Sequence, residues 1–151
     1  MAVSANEGLW TPEDAMRQML GRTADVYCFS HYFSGSMAQF HRVCWFAHSQ
    51  GLKICRHTHG ELGITAQACH HLLLTLPNVV DGNQQTAHMM TDDIVADTIP
   101  IRHGPNWGVP DQPGIGVDID ESKLARYHEL YEKQGQFPPY DPSLLGTDLY
   151  R

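Results

Sequence analysis

The chain has 151 residues, the size of one domain, and a fold of this size buries roughly 70% of the surface that its unfolded chain exposes. Its formal charge is -7, and no run of Lys or Arg supplies the clustered cations that nucleic acids and acidic membranes attract. This excludes a nucleic-acid or membrane partner from the expected functions, and a small polar substrate or a protein partner fits better.

The cysteines and the hydropathy pattern predict a soluble, cytoplasmic protein. The cysteines lie in apolar segments without C-x-x-C spacing, as is typical of reduced core residues and not of a zinc site or a disulfide framework. They are Cys28, Cys44, Cys55 and Cys69. The N-terminus lacks a secretory signal, and no segment approaches ~20 consecutive apolar residues.

The first part of the chain predicts four strands that alternate with four helices. Thr11 and Pro12 mark the start of the first helix, and Pro77 ends the third. The strands are expected over residues 2–5, 25–29, 52–55 and 78–81, and the helices over residues 11–21, 35–51, 64–76 and 84–93. Such alternation predicts a parallel sheet covered by helices, because parallel strands need crossover connections.

The pattern changes after residue 98. Residues 99–117 are rich in Pro and Gly and predict an irregular or hairpin-like segment. A last helix follows over residues 120–134, with Gly135 as its stop and an apolar face that we expect to point inward: Leu124, Tyr127, Leu130 and Tyr131. The tail over residues 137–151 has no periodicity, and we expect it to be loosely attached.

Two architectures satisfy four parallel strand and helix units. One is a small doubly wound sheet, and the other is half of an eight-unit barrel. Periodicity does not separate them, but both bind ligands at the carboxyl ends of the strands. Polar residues follow all four predicted strands there: Asn6 and Glu7; Ser30 and His31; His57, His59 and Glu61; and Asp81 with Asn83.

Residues 56–63 concentrate the candidate chemistry, since His57, His59 and Glu61 lie in a short polar break between a strand and a helix. The H-x-H pattern is also found in cupin-like or hydrolase-like metal sites, because both imidazoles then lie on one face of a strand. Cupins place their Glu several residues further on, so Glu61 is too close for that alternative.

Three segments resemble the C-terminal part of the enolase superfamily, in the mandelate racemase and muconate lactonizing enzyme group. They cover residues 4–10, 55–64 and 109–117, within a resemblance that extends over residues 2–140 and is nearest to glucarate dehydratase-like acid-sugar dehydratases. The resemblance implies an α/β fold, the C-terminal half of a (β/α)8 barrel, with strands five to eight in residues 1–98 and an extension over residues 99–151. The capping domain and the first four strands would lie outside this chain.

The resemblance also implies a reaction and a cofactor. Members of the group abstract a proton alpha to a carboxylate and stabilise the enediolate on Mg2+. Asn6 matches the metal ligand after the fifth strand, with Glu7 as the alternative if the register shifts by one. His57 matches the catalytic histidine, and Ser30 stands where the family has its partner aspartate. A serine hydroxyl offers only a neutral hydrogen bond, which would leave His57 a weaker base.

Each predicted site residue also has a structural alternative. His59 and Glu61 are expected either to contact an acid-sugar substrate or to order their loop, and Asp81 either contacts substrate or forms a turn before Gly82. Asn6 is otherwise a turn former, and His57 otherwise caps its strand.

The resemblance leaves two functions open. The chain is either a fragment of a magnesium-assisted acid-sugar dehydratase or a noncatalytic fragment from a truncated or split gene. A half barrel leaves two strand edges unpaired, so we expect self-association or pairing with a complementary N-terminal half.

Overall fold

The computed structural model describes residues 1–80, 82–86, 90, 92–96 and 107–135. The strands are β1 (Ser4–Ala5), β2 (Val26–Phe29) and β3 (Lys53–Arg56), and the helices are α1 (Pro12–Leu20), α2 (Met37–Ser49), α3 (Gly63–Leu74) and α4 (Glu121–Gln134). The chain divides into two compact units, Met1–Asp118 and Ile119–Arg151. The first unit holds the sheet with α1 to α3, and the second holds α4.

Side-chain caps begin the first two helices. The hydroxyl of Thr11 accepts a hydrogen bond from the amide of Asp14 at 3.1 Å, and Pro12 occupies the first helical position of α1. The hydroxyl of Ser36 accepts from the amide of Gln39 at 3.1 Å and begins α2 in the same way. The predicted starts of both helices are confirmed.

The sheet is parallel, and its strand order follows the chain order, β1-β2-β3. The predicted fourth strand is reduced to one parallel bridge between Val79 and Ile54 of β3. A doubly wound sheet reverses its strand order at a switch point, whereas a barrel keeps the order of the chain. The part of the sheet that the structure describes shows no such reversal, which favours the barrel half.

The two faces of the sheet have different neighbours. Tyr27, Phe29 and Ile54 belong to the main apolar core, together with side chains of the helices such as Phe40 and Val43. Side chains alternate along a strand, so the register partners Cys28 and Cys55 lie on the opposite face. All four cysteines are free and buried, as predicted.

The helix predicted over residues 84–93 is wrong for the residues that the structure describes. Residues 82–86 and 92–96 are not helical. The amide of Gln84 donates to the carbonyl of Arg56 at 3.0 Å, and the side chain of Asn83 accepts from the amide of Arg56 at 2.9 Å. These bonds hold the segment alongside the end of β3, so tertiary hydrogen bonding overrides the local helical pattern.

Helix α4 is described by itself. Its start is confirmed, since the carboxylate of Asp120 accepts from the amides of Ser122 and Lys123 at 3.0 and 3.1 Å. The expected inward face is wrong, because none of its residues is buried, and Leu124 and Tyr131 are 41% and 57% exposed. The described residues of this unit contain a single helix, which cannot bury its own apolar face.

Other expectations fall at the edge of the described residues or beyond it. Residues 107–118 are irregular, as expected, but the predicted domain boundary after residue 98 and the tail over residues 137–151 lie outside the described part of the chain. Within that part, no helix combines the length and the apolar character needed to cross a membrane.

Gly63, the first residue of α3, packs too tightly for a side chain. A Cβ atom there would lie 2.9 and 3.0 Å from the methyl groups of the buried Val95 and 3.2 Å from a carboxylate oxygen of Asp93. We expect Gly63→Ala to lower the free energy of unfolding by about 1–3 kcal/mol, measured by urea denaturation.

The matched control is Gly21→Ala. Gly21 has a helical φ of -73°, and the nearest atom to its Cβ position is 3.4 Å away. This variant is expected to stay within about 0.5 kcal/mol of the wild-type chain. Equal stability of the two variants would contradict the packing argument.

Candidate functional site

A small pocket opens at the carboxyl ends of the three strands. Its volume is about 110 Å³. Each strand end contributes to the lining, which consists of Asn6, Glu7, Leu9, Trp10, Cys28, Phe29, Phe33, His57 and His59. Four residues that the sequence singles out are therefore brought together: Asn6, Glu7, His57 and His59.

His57 and His59 form a hydrogen-bonded pair in this pocket. Nδ1 of His57 lies 3.2 Å from Nε2 of His59, and the ring centroids are 4.5 Å apart. His57 is half-buried and His59 is exposed. The amide of His57 donates to the carbonyl of Phe29 at 3.0 Å, which anchors this strand end against β2. The remaining ring nitrogen of His57, Nε2, lies outside the pair.

Aromatic rings that sequence reasoning did not assign to the site surround His59. Its ring meets the rings of Phe33 and Tyr32 edge to face, with centroid distances of 4.9 and 5.4 Å. Trp10 packs against Phe33 in the same way at 4.8 Å. These residues follow the ends of β1 and β2, and this position along the chain could have indicated that they lie at the site.

Ser30 is fully buried in the turn after β2. Its hydroxyl accepts the amide of Tyr32 at 3.0 Å, and its carbonyl accepts the hydroxyl of Ser34 at 3.2 Å. Its role as the partner of His57 stays a prediction, whereas the hydrogen bond observed at the His57 ring goes to His59.

The segment that carries the two histidines contains a buried ion pair that the sequence did not reveal. Nη2 of Arg56 donates to Oε1 of Glu61 at 2.6 Å, and the two side chains are 1% and 0% exposed. The pair joins the two ends of the segment that carries both histidines, which supports the loop-ordering interpretation of Glu61. Its role in substrate binding stays a prediction. Asp81 lies outside the described residues.

Thr86 and Gln84 also hold this segment in place through hydrogen bonds. The hydroxyls of Thr58 and Thr86 lie 2.8 Å apart, and the amide of Gly60 donates to the Thr86 hydroxyl at 3.2 Å. The amide of Thr58 donates to the side chain of Gln84 at 3.2 Å. Gly60 has φ +78°, a left-handed conformation that glycine adopts without strain.

Burial and local charge shift the pKa of three groups in and near this site: His59, His31 and Cys28. Partial desolvation lowers the pKa of His59, the charges of His57 and Arg56 lower it further, and Glu61 partly opposes them. Burial also lowers the pKa of the neighbouring His31, whose Nδ1 lies 3.4 Å from the sulfur of Cys69. A hydrogen bond with Cys55, together with burial, raises the pKa of the pocket thiol Cys28. It is therefore protonated at neutral pH.

The donors available for a metal ion are few. Asn6 and Glu7 carry oxygens of the kind that Mg2+ prefers, both are exposed in the pocket, and the Asn6 amide nitrogen lies 3.5 Å from a carboxylate oxygen of Glu7. Among the described residues, no group of three or more His, Cys, Asp or Glu side chains is placed to hold a metal. The pair fits part of a magnesium site, which takes about six ligands.

Comparisons with known proteins agree on one family. The family described as enolase C-terminal domain-like matches residues 1–123. Muconate cycloisomerase 1-1 of Acinetobacter lwoffii is 28% identical over 129 residues, which cover 84% of this chain and 34% of that protein. A probable glucarate dehydratase of Streptomyces coelicolor is 24% identical over 106 residues, which cover 70% of this chain and 24% of that protein.

A solved structure gives the same answer for the fold. An enolase from Thermobispora bispora, complexed with magnesium and formate, superposes with a TM-score of 0.76 and 27% identity, over 90% of this chain and 33% of that one. The predicted fold class is confirmed as α/β, the C-terminal half of a (β/α)8 barrel. The chain spans about a quarter to a third of the length of the two relatives.

Proposed function

This chain belongs to the enolase C-terminal domain-like family, and from that premise we propose that it supplies part of an active site that abstracts a proton alpha to the carboxylate of an acid sugar and eliminates water. The observation that carries the proposal is the pocket at the strand ends, which brings His57 together with the oxygen donors Asn6 and Glu7. The similarity to a probable glucarate dehydratase supports the choice of an acid sugar as substrate.

His57 is the proposed base. It lines the pocket, it is half-buried, and its Nδ1 is engaged by His59, so Nε2 is the nitrogen that would take the proton. As the β hydroxyl departs, His57 would return this proton to it as water. The enol that remains becomes a 2-keto-3-deoxy acid, so the atoms of substrate and products balance.

Asn6 and Glu7 are the proposed contribution of this chain to a magnesium site. A bound magnesium ion would supply positive charge beside the substrate carboxylate. The other ligands would come from water, from substrate and from residues outside this chain. The sequence predicts three substrate contacts, His59, Glu61 and Asp81. Of these, His59 lines the pocket and is the proposed substrate contact.

The proposal is tested by incubating the chain with Mg2+ and a panel of aldarate and aldonate sugars, and by measuring 2-keto-3-deoxy acid formation. We expect turnover of at least one acid sugar that stops when EDTA is added. No turnover of any sugar in the panel would show that the chain on its own is not a dehydratase, and it would favour the noncatalytic candidate below. A mixture with no chain serves as the blank.

The second candidate is a noncatalytic role, in which the chain acts only through association with itself or with a complementary N-terminal half. One observation favours it: the described residues place no group of three or more His, Cys, Asp or Glu side chains to hold a metal. Sedimentation velocity tests it, and a stable, compact monomer would count against it.

A further inference from the structure

The hydrogen bond between the two pocket histidines constrains where their protons lie. Nδ1 of His57 and Nε2 of His59 are 3.2 Å apart, so one of them carries the hydrogen and the other accepts it. A neutral imidazole has one N–H donor and one acceptor nitrogen. Two arrangements are therefore possible, and they differ at the far nitrogen of His57.

Only one arrangement leaves His57 able to act as a base. If Nδ1 of His57 donates, its Nε2 carries a free lone pair. If Nε2 of His59 donates instead, the proton of neutral His57 must lie on Nε2, and that nitrogen cannot accept another. The direction of this one hydrogen bond therefore decides whether His57 can abstract a proton.

The arrangement in which Nδ1 of His57 donates is the one that the proposed function requires, and the surroundings of His59 allow it. Its ring is held edge to face by Phe33 and Tyr32, which fixes the ring plane. The segment that carries it is closed by the buried pair of Arg56 and Glu61 and by the bond from Gly60 to Thr86. Partial desolvation and the charges of His57 and Arg56 lower the pKa of His59, so its ring is mostly neutral near pH 7 and its Nε2 is able to accept.

We propose that His59 is a positioning residue that holds His57 in the Nδ1–H tautomer and leaves Nε2 free as the base. It takes the place that the sequence resemblance gives to Ser30, whose hydroxyl instead accepts the amide of Tyr32. When His57 gains a proton, the same Nδ1–H bond becomes charge-assisted and strengthens. The catalytic meaning of this tautomer rests on the proposed function, but the tautomer itself is measurable without substrate.

The test is a two-bond proton–nitrogen NMR correlation of the histidine rings, recorded on the full 151-residue chain after EDTA treatment. At about pH 8 imidazoles are mostly neutral, and the nitrogen shifts report which atom carries the proton. For wild-type protein we expect His57 to be protonated on Nδ1. A wild-type spectrum with the proton on Nε2 would overturn the proposal, without any variant being made.

Two variants separate positioning from packing. His59→Phe keeps an aromatic ring but removes the acceptor, and we expect the ratio of Nδ1–H to Nε2–H at His57 to fall by about tenfold. His59→Gln restores an acceptor oxygen and should recover part of the ratio. An unchanged ratio in His59→Phe would also overturn the proposal. His48→Phe, at an exposed position of α2, is the matched control and should leave His57 unchanged.

The two proposals fail separately. The expected tautomer together with no turnover on the acid-sugar panel would uphold the positioning role and remove the dehydratase. Turnover together with an Nε2–H tautomer in the wild-type chain would uphold the dehydratase and remove the positioning role.

Discussion

Replacing Glu61 with glutamine is expected to lower the free energy of unfolding by about 3–5 kcal/mol, as measured by urea denaturation. The substitution preserves the shape of the side chain but removes its charge, so Arg56, with 1% of its side chain exposed, loses the one carboxylate that pairs with it among the described residues. Arg56 also donates to the carbonyl of Gln84 at 3.2 Å, but this carbonyl carries no net charge. Domains of this size are stable by about 5–15 kcal/mol, so the variant would lie near the limit of folding.

Two further variants make this result specific. Arg17→Gln removes an ion pair on the surface of the same unit, where the two side chains are 75% and 32% exposed, and it should change stability by less than about 0.5 kcal/mol. The double variant Arg56→Met/Glu61→Gln removes the stranded cation and should recover most of the loss. A loss below about 1 kcal/mol for Glu61→Gln alone would show that the buried pair does not stabilise the fold.

The local elements of the fold were predictable because their causes are local. Helix α1 begins at a capping threonine, Thr11, followed by Pro12, and both signals are visible in the local sequence. The apolar run before Ser30 predicts β2 in the same way. The helix expected over residues 84–93 fails for the opposite reason. Asn83 and Gln84 bond to the backbone of Arg56, about 27 positions earlier in the chain, and no local pattern reveals such a bond.

The same distinction applies to the candidate site. Strand ends were readable from the sequence, so Asn6, Glu7 and His57 were expected near one another, and the pocket brings them together. The residue that contacts Nδ1 of His57 could not be predicted from the sequence. It depends on the path of the loop after β3, which is set by the left-handed Gly60 and by the pair of Arg56 and Glu61. The family resemblance directed attention to Ser30, while the ring contact is made by His59.

Replacing His57 with asparagine is expected to reduce the turnover of any acid sugar by roughly 10²–10⁴-fold, with a smaller change in KM. Asparagine is polar and compact but cannot take up a proton, so the variant loses general-base catalysis, which contributes a factor of this size. The measurement is 2-keto-3-deoxy acid formation, followed in parallel with exchange of the alpha proton in D2O. Both signals should fall together, because both begin with the same proton abstraction.

The matched control for this variant is His48→Asn. His48 is exposed on α2, where its ring contacts Trp45 at 5.2 Å, and it does not line the pocket. This variant should retain turnover within about twofold. If His57→Asn turns over the substrate as fast as His48→Asn, another group removes the proton, and the base assignment is wrong. If alpha-proton exchange survives while product formation is lost, His57 acts on the departing hydroxyl and not on the carbon acid.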